Sequence, residues 1–355
     1  MNLTEKNDLL SMLPEELEAL MASIGEPKYR AAQIFSAIHK GISPADMTNI
    51  GKITKQKLDE VSCFHIPTVK RKLVSALDGT IKYLFALSDG NCVESVVMKY
   101  KHGSTICISS QVGCRMGCAF CASTIGGKVR DLRPSEMLGQ IIAAEKDSGE
   151  RISNIVMMGI GEPLDNYQNV IKFLKLVGHE KGLNIGYRHI SLSTCGLVDK
   201  INDLAKESFP ITLSISLHAS DNETRSAIMP VNRKWNIESL LSACREYYRA
   251  TGRRISFEYT LIAGKNDSSE AARKLASLLN SSLREKNSGE SFPIHVNLIP
   301  VNPVTETGFS ASDKKAIDGF AKILESKGIR ATVRRRLGSD INASCGQLRR
   351  ADEGL

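Results

Sequence analysis

From about residue 104 the chain alternates between two kinds of segment, and this alternation constrains the fold more than any other feature. Apolar runs rich in β-branched residues (STICISS, NIVMMG, HISLST, ITLSISLH, RISFEYTLIA and IHVNLIP) read as strands. Between them lie stretches of helical periodicity near 134–147, 167–177, 198–206, 237–250 and 268–285. A last helix, about 311–327, carries Ile317, Phe320, Ile323 and Leu324 on one face and ends at Gly328. Strands joined through helices run parallel, because each crossover carries the chain back to the end where the previous strand began. Six such units predict an α/β fold, a partial (β/α)6 barrel, since six are too few to close the eight-fold barrel. In that architecture chemistry sits at the C-terminal ends of the strands.

The first hundred residues read differently. Pro14 opens a helix with Leu17, Leu20, Met21 and Ile24 at helical spacing and a stop at Gly25. Further helices are expected at 29–39 and 54–61, giving a small N-terminal helical domain, 1–65, whose many lysines suggest a basic RNA-binding accessory. Residues 66–100 then form an antiparallel β extension with strands near 69–76, 80–87 and 92–99, because Asp78-Gly79 and Asp89-Gly90 are hairpin signals. The barrel is expected to span 101–345, with a tail at 346–355.

The chain has 42% hydrophobic and 24% charged residues, as soluble globular proteins do. No apolar run approaches the roughly 18 residues of a membrane span. MNLTEKNDLL lacks the features of a secretory signal, so a cytoplasmic, reducing location is expected. There, nine cysteines, an odd number, read as metal-binding or catalytic rather than as a disulfide framework. A net charge of +8 suits a polyanionic partner, with basic blocks at Lys70 to Lys72, Arg334 to Arg336 and Arg349–Arg350.

Four cysteines fall within CISSQVGCRMGCAFC, at the end of the first barrel strand. Cys114, Cys118 and Cys121 are spaced C-x3-C-x2-C, and Cys107 precedes them by seven residues. Three thiolates can bind zinc or an iron–sulfur cluster. A structural zinc site wants a fourth ligand, and no second C-x2-C or H-x3-H lies nearby. On a four-iron cluster three ligands leave one iron open to a small molecule. Polar residues also end the next strands, in GIGEPLDN at 159–166, SLSTCG at 191–196 and SLHAS at 216–220.

The C-x3-C-x2-C spacing, with Phe120 before its last cysteine, resembles the signature of the radical S-adenosylmethionine (SAM) enzymes. The resemblance implies a four-iron, four-sulfur (4Fe-4S) cluster on Cys114, Cys118 and Cys121, with the amino and carboxylate groups of S-adenosylmethionine on the open iron. Gly161, Glu162 and Pro163 match a turn that holds the cofactor's amino group. Ser193, Ser216, Leu217, His218 and, in IPVNP, Asn302 match further cofactor contacts.

A longer set of motifs (ESVVMKY, CISSQVGC, FCASTIGG, MGIGEPLDN, ISLHAS, MPVN, HVNLIPVNP and DINASCGQL) is similar to the RlmN family of RNA adenine-carbon-2 methyltransferases. That family modifies one adenine of 23S rRNA in the peptidyl-transferase centre, and one in the anticodon loop of certain tRNAs. Its sister Cfr family methylates carbon 8 and carries GEA where this chain has Gly161-Glu162-Pro163, so the resemblance favours carbon 2. A non-catalytic metal-containing RNA-binding protein is the alternative from a different class.

The family's chemistry explains the extra cysteines. Carbon 2 lies between two ring nitrogens and is too electron-poor to attack a methyl cation equivalent. The resemblance implies that Cys345 is first methylated by displacement and that a second S-adenosylmethionine supplies a radical. The methylene so formed adds to carbon 2, and Cys107 resolves the link through a transient disulfide with Cys345. Glu94 matches the proton acceptor, although Cys107 remains the other candidate. Attack needs thiolates, so basic residues are expected beside Cys107 and Cys345, with Arg334, Arg335 and Arg336 as candidates. GSDINASCGQ, around Cys345, is small and polar and is expected to be a mobile loop. An external electron donor and a thiol reductant complete the cycle, no membrane is involved, and the chain is expected to act as a monomer.

Overall fold

A computed structural model describes residues 6–284, 292–302, 308–343 and 348 of the chain. Three ten-residue helices, α1 (Pro14–Ser23), α2 (Tyr29–Ile38) and α3 (Lys52–Val61), build the N-terminal part. Pro14 stands where a missing N–H costs nothing, and the Glu16 carboxylate accepts the Leu13 N–H at 2.7 Å. A short parallel pairing of β1 (Asn7–Asp8) with β2 (Ser62–Cys63) brings the two ends of this part together. Its buried side chains join the barrel in one apolar core. The expected basic character is absent: residues 1–65 hold seven Lys and Arg against nine Asp and Glu, a net charge of −2. The positive excess of the chain lies beyond residue 65.

The hairpin signals hold. β3 (Thr68–Val74), β4 (Ile81–Ala86), β5 (Cys92–Tyr100) and β6 (Gly103–Cys107) form an antiparallel meander, with Gly79 and Gly90 at positive φ in its first two turns. After β6 come a small hairpin of β7 (Gln111–Gly113) and β8 (Lys128–Asp131), then helix α4 (Pro134–Ser148). From there strands and helices alternate as β9 (Ile152–Met157), α5 (Tyr167–Val177), β10 (Ile190–Thr194), α6 (Val198–Lys206) and β11 (Thr212–Ser216). Two helices, α7 (Asn222–Ile228) and α8 (Ile237–Thr251), lead to β12 (Ile255–Leu261). The alternation ends with α9 (Ser269–Leu283), β13 (Ile294–Pro300), α10 (Lys314–Ser326) and β14 (Arg330–Val333).

All but four short strands lie in one ten-stranded sheet of order β14-β13-β12-β11-β10-β9-β6-β5-β4-β3. β6 pairs in parallel with β9 on one side and antiparallel with β5 on the other. The partial barrel of six β/α units and the antiparallel extension are therefore continuous. A seventh parallel strand, β14, extends the barrel beyond the six units. Apolar side chains such as Leu192, Leu213, Ile215, Phe257 and Val296 fill the core. Among the described residues no helix is long and apolar enough to cross a membrane.

Candidate active site

The three clustered cysteines sit on the loop between β7 and β8. Gly113 holds φ at +76°, and a Cβ there would lie 1.9 Å from the Gly127 carbonyl oxygen, so only glycine lets the hairpin close beneath the loop. Backbone bonds then fix the loop: Cys114 N–H donates to Gly127 O at 2.9 Å and Cys121 N–H to Cys118 O at 3.1 Å. Ala119 N–H donates to Ile228 O of α7 at 2.9 Å, which ties the loop to the far side of the barrel. The thiols line one cavity of about 260 Å³. Burial pushes the Cys114 thiol up to about 12 and Cys118 higher still, with the charges of neighbouring thiols and of Glu162 adding to the effect. Ligation must therefore displace their protons. Among the described residues no three His, Cys, Asp or Glu side chains converge on one point as the ligands of a single ion do.

Across the cavity lies the Gly161-Glu162-Pro163 turn. Gly161 has φ +106°, and a Cβ would meet Gln111 side-chain carbon at 2.6 Å. Glu162 is buried, and its carboxylate accepts the Leu164 N–H at 3.0 Å and the Cys195 N–H at 2.7 Å. Burial raises its carboxyl above the ordinary range, so a cation that enters the cavity gains a partner there. His218 is held by Thr260 N–H, which donates to Nδ1 at 2.9 Å. The proton of the neutral ring is therefore on Nε2. Burial, and then Arg225, lowers His218 to about 3, so the ring is neutral at physiological pH. Phe120 meets it edge-on at 5.0 Å.

Ser193 and Ser216 line the cavity at the ends of β10 and β11, and Asn302 lines it just beyond β13. Leu217 is different: its side chain is fully buried in the apolar core. Two lining residues escaped sequence reasoning. Glu258 of β12 is buried and accepts from Asn297 Nδ2 at 2.6 Å, and Cys195 is the residue that donates to Glu162. The only signal for Glu258 was an acid inside the apolar run RISFEYTLIA. Arg225 was also missed. Its guanidinium is 0% exposed and donates to the carbonyls of Leu217 at 3.1 Å, Cys195 at 2.7 Å and Ser216 at 3.2 Å, and to Asn232 Oδ1 at 2.9 Å. It fastens the ends of β10 and β11 to α7.

A second pocket, of about 210 Å³, adjoins the first and shares Ile299, Asn302 and Arg334 with it. Cys107, Arg334, Arg335 and Arg336 line this pocket together. The register explains which residues meet. Lys82 pairs opposite Val96, Leu84 opposite Glu94, and Val96 opposite Cys107. Lys82, Glu94, Val96 and Cys107 thus point to one face of the meander. On that face the Lys82 ammonium is 3.1 Å from Glu94 Oε2, with the two side chains 1% and 3% exposed. Lys82 also donates to the Asn342 carbonyl at 3.0 Å. Ala343 packs with Leu337 against Val96, Met98 and Cys107, and Leu348 packs against Leu84 and Cys92. Cys345 itself lies outside the described residues, as does most of the expected tail. Ala343, before it, and Leu348, after it, are seated on this face.

A partial barrel whose first loop carries three thiols opposite a Gly-Glu-Pro turn defines a radical SAM protein. Residues 108–276 match the family model described as Radical SAM superfamily, and residues 7–64 match that of the Ribosomal RNA large subunit methyltransferase N-terminal domain. Proteins named "Probable dual-specificity RNA methyltransferase RlmN" are 52% identical to this chain in Clostridium novyi, over 97% of it and 98% of the relative, and 52% identical in Alkaliphilus oremlandii, over 98% of each. A crystal structure of a radical SAM methyltransferase from Sphaerobacter thermophilus superposes with a TM-score of 0.89 at 41% identity, covering 96% of this chain and 98% of that one. The chain belongs to the RlmN family of radical SAM methyltransferases. Its cofactors are accordingly a 4Fe-4S cluster and S-adenosylmethionine. These relatives do not favour the Cfr reading.

Proposed function

We propose that the chain methylates carbon 2 of an adenine in 23S rRNA, and in tRNA, through an S-methylcysteine on Cys345. The observation that carries this reading is the second pocket. Cys107, Glu94 and the segments flanking Cys345 gather on one sheet face whose pocket shares walls with the cofactor cavity.

Cys114, Cys118 and Cys121, the three thiols of the β7–β8 loop, would hold the cluster and leave the open position that the cofactor needs. Gly161 and Glu162 would receive the cofactor's amino group, and Ser193, Ser216, Asn302 and the Nε2–H of His218 its other polar groups. When bound, cluster and cofactor together supply one-electron cleavage and hydrogen abstraction, and a further S-adenosylmethionine supplies the methyl group. Cys345 carries that methyl to the base. Glu94 would take the proton lost from carbon 2 while the odd electron of the adduct returns to the cluster and the ring regains its aromaticity, and the Cys107 thiolate would then attack the Cys345 sulfur. A sulfur–sulfur bond forms as the sulfur–carbon bond breaks, and the released electron pair with a proton completes the methyl group. An external thiol then reopens the disulfide, and an external donor provides the electron.

The target adenine must be unpaired, because its Watson–Crick edge is attacked. Arg334, Arg335 and Arg336 are exposed at the pocket, and Lys70 and Arg71 are exposed on β3, which suits contact with RNA phosphates. Residues 1–65 act as an accessory RNA-binding domain by shape and stacking rather than by charge, with Tyr29 61% exposed. The chain works as a cytoplasmic monomer.

The test is an anaerobic reaction of cluster-loaded protein with RNA fragments. Wild type should release methylated adenine, and Cys107→Ala should accumulate a covalent RNA–protein adduct through Cys345. If neither product nor adduct forms while the cluster is intact, the mechanism fails.

A further inference from the structure

Lys82 lies in IKYLFA, an otherwise apolar strand, and nothing in the motifs above assigns it a role. A fully buried ammonium is costly unless it is paired and its hydrogen-bonding capacity is used. Two of its partners belong to different parts of the chemistry. One is the Glu94 carboxylate on the neighbouring strand, at 3.1 Å, and the other is the backbone carbonyl of Asn342, at 3.0 Å, three residues before Cys345.

The surroundings show that this second contact is not isolated. The β3–β4 turn holds the same segment by side chains on both sides. Asp78 accepts the Gly338 N–H at 2.8 Å, and Asp340 accepts from Ser75 Oγ at 2.6 Å and from Ala76 N–H at 2.8 Å. Burial pulls Asp78 upward, but the bonds from Gly338, Thr80 and Ser75 outweigh it and hold the group at about 2. The turn thus grips residues 338–340 as an ionised anchor at neutral pH. Lys82 continues the grip to residue 342 from inside the sheet. Lys82 also reaches Glu94.

We propose that Lys82 is a positioning residue that holds the base and the backbone leading to Cys345 in a single frame. The inference rests on the reading of Glu94 as proton acceptor and Cys345 as methyl carrier. Its physical content is twofold. A buried carboxylate that must meet a proton on its substrate needs its oxygens held in place, and the Lys82 ammonium holds Glu94 at 3.1 Å. The backbone at Asn342 leads to the methyl carrier, and one ammonium holds that backbone and the base together. Arginine can supply the same charge and donors, whereas methionine has similar length and neither.

The experiment uses the full chain with its cluster reconstituted and a single turnover on an RNA fragment. Lys82→Met, Lys82→Arg, Glu94→Gln and the double variant Lys82→Met/Glu94→Gln are compared, with cluster absorbance reporting the fold. The readouts are the fraction of RNA trapped as covalent adduct and the rate of its conversion to methylated product. Loss of a general base costs roughly 10²–10⁴-fold, so Lys82→Met should resolve the adduct at least tenfold more slowly than wild type, with Lys82→Arg restoring most of the rate. Should Lys82→Met fail to hold a cluster, the double variant, which leaves no buried charge unpaired, serves in its place and should be no faster than Glu94→Gln. Resolution at the wild-type rate by Lys82→Met, or a Lys82→Arg protein as slow as Lys82→Met, overturns the proposal. A Glu94→Gln protein that resolves the adduct normally instead overturns the base assignment, and it leaves any slowing by Lys82→Met to the loop contact alone.

Discussion

Glu162 shows how a single side chain can do two jobs in the cavity. Its carboxylate caps the turn after β9 and receives the Cys195 N–H, yet it remains buried and raised by that burial. On the proposed reading a cofactor ammonium supplies the missing counter-charge. A hydrogen bond to a charged group is worth about 1.5–3 kcal/mol, so Glu162→Gln should weaken S-adenosylmethionine binding roughly 10- to 150-fold. Titration calorimetry on cluster-loaded protein reads this directly, and an unchanged Kd would remove Glu162 from the cofactor site. Such residues were legible in the sequence because they lie in short continuous motifs. Lys82, Glu258 and Arg225 were not. Lys82 and Glu258 are charges among apolar neighbours and Arg225 sits in the polar run NETRSAI; the meaning of each comes from partners elsewhere in the chain, 260 residues away for Lys82 and Asn342.

Among the elements α7 is the least expected. Its seven residues, NETRSAI, carry no helical stripe, and only the Asp221 cap, which accepts the Thr224 N–H at 2.8 Å, marks its start. Arg225 gives it a purpose by serving three carbonyls at the ends of β10 and β11. Arg225→Met leaves those buried acceptors without a donor, at about 1–3 kcal/mol each. The expected loss is about 3 kcal/mol or more in denaturant unfolding of the cluster-free protein. A change below about 1 kcal/mol would mean that water or other groups take over. The main strands and long helices were readable because their apolar periods are long. β14, the β7–β8 hairpin and α7 were not, being only three to seven residues long, too short to show a period.

At the scale of the whole molecule the N-terminal part is docked, not tethered. Glu16 and Lys172 of α5 approach to 2.7 Å, and Ser11 Oγ accepts the Ser135 N–H at 3.0 Å. Phe35 stacks edge-on against His179 at 4.8 Å, and His39 sits beside Phe35 and against Gly182. Burial lowers His39 from 6.5 to about 4, and the nearby His179 adds to the effect. The folded protein therefore takes up this proton later than the unfolded chain does. The His39 contribution is intact above pH 6.5 and drains away as pH falls toward about 4. Compared with His39→Leu, wild type should lose relative stability across that window in thermal unfolding. A gap that stays constant with pH would show that the junction does not sense protonation. No periodicity in the sequence foretold this junction, because it is made of residues from α2 and from the α5–β10 connection.

An incomplete barrel leaves a sheet with two ends. β3 closes one and β14 the other, and both are largely exposed. An unpaired strand edge is a template on which a second copy of the chain can add its own. Lys70, Arg71 and Lys72 line one edge, and Arg330 opens the other, just before Arg334, Arg335 and Arg336. A second copy offering either edge would bring like charge against like charge. The cations that suit RNA would thus have a second duty whenever RNA is absent: they keep the sheet from growing into its neighbours.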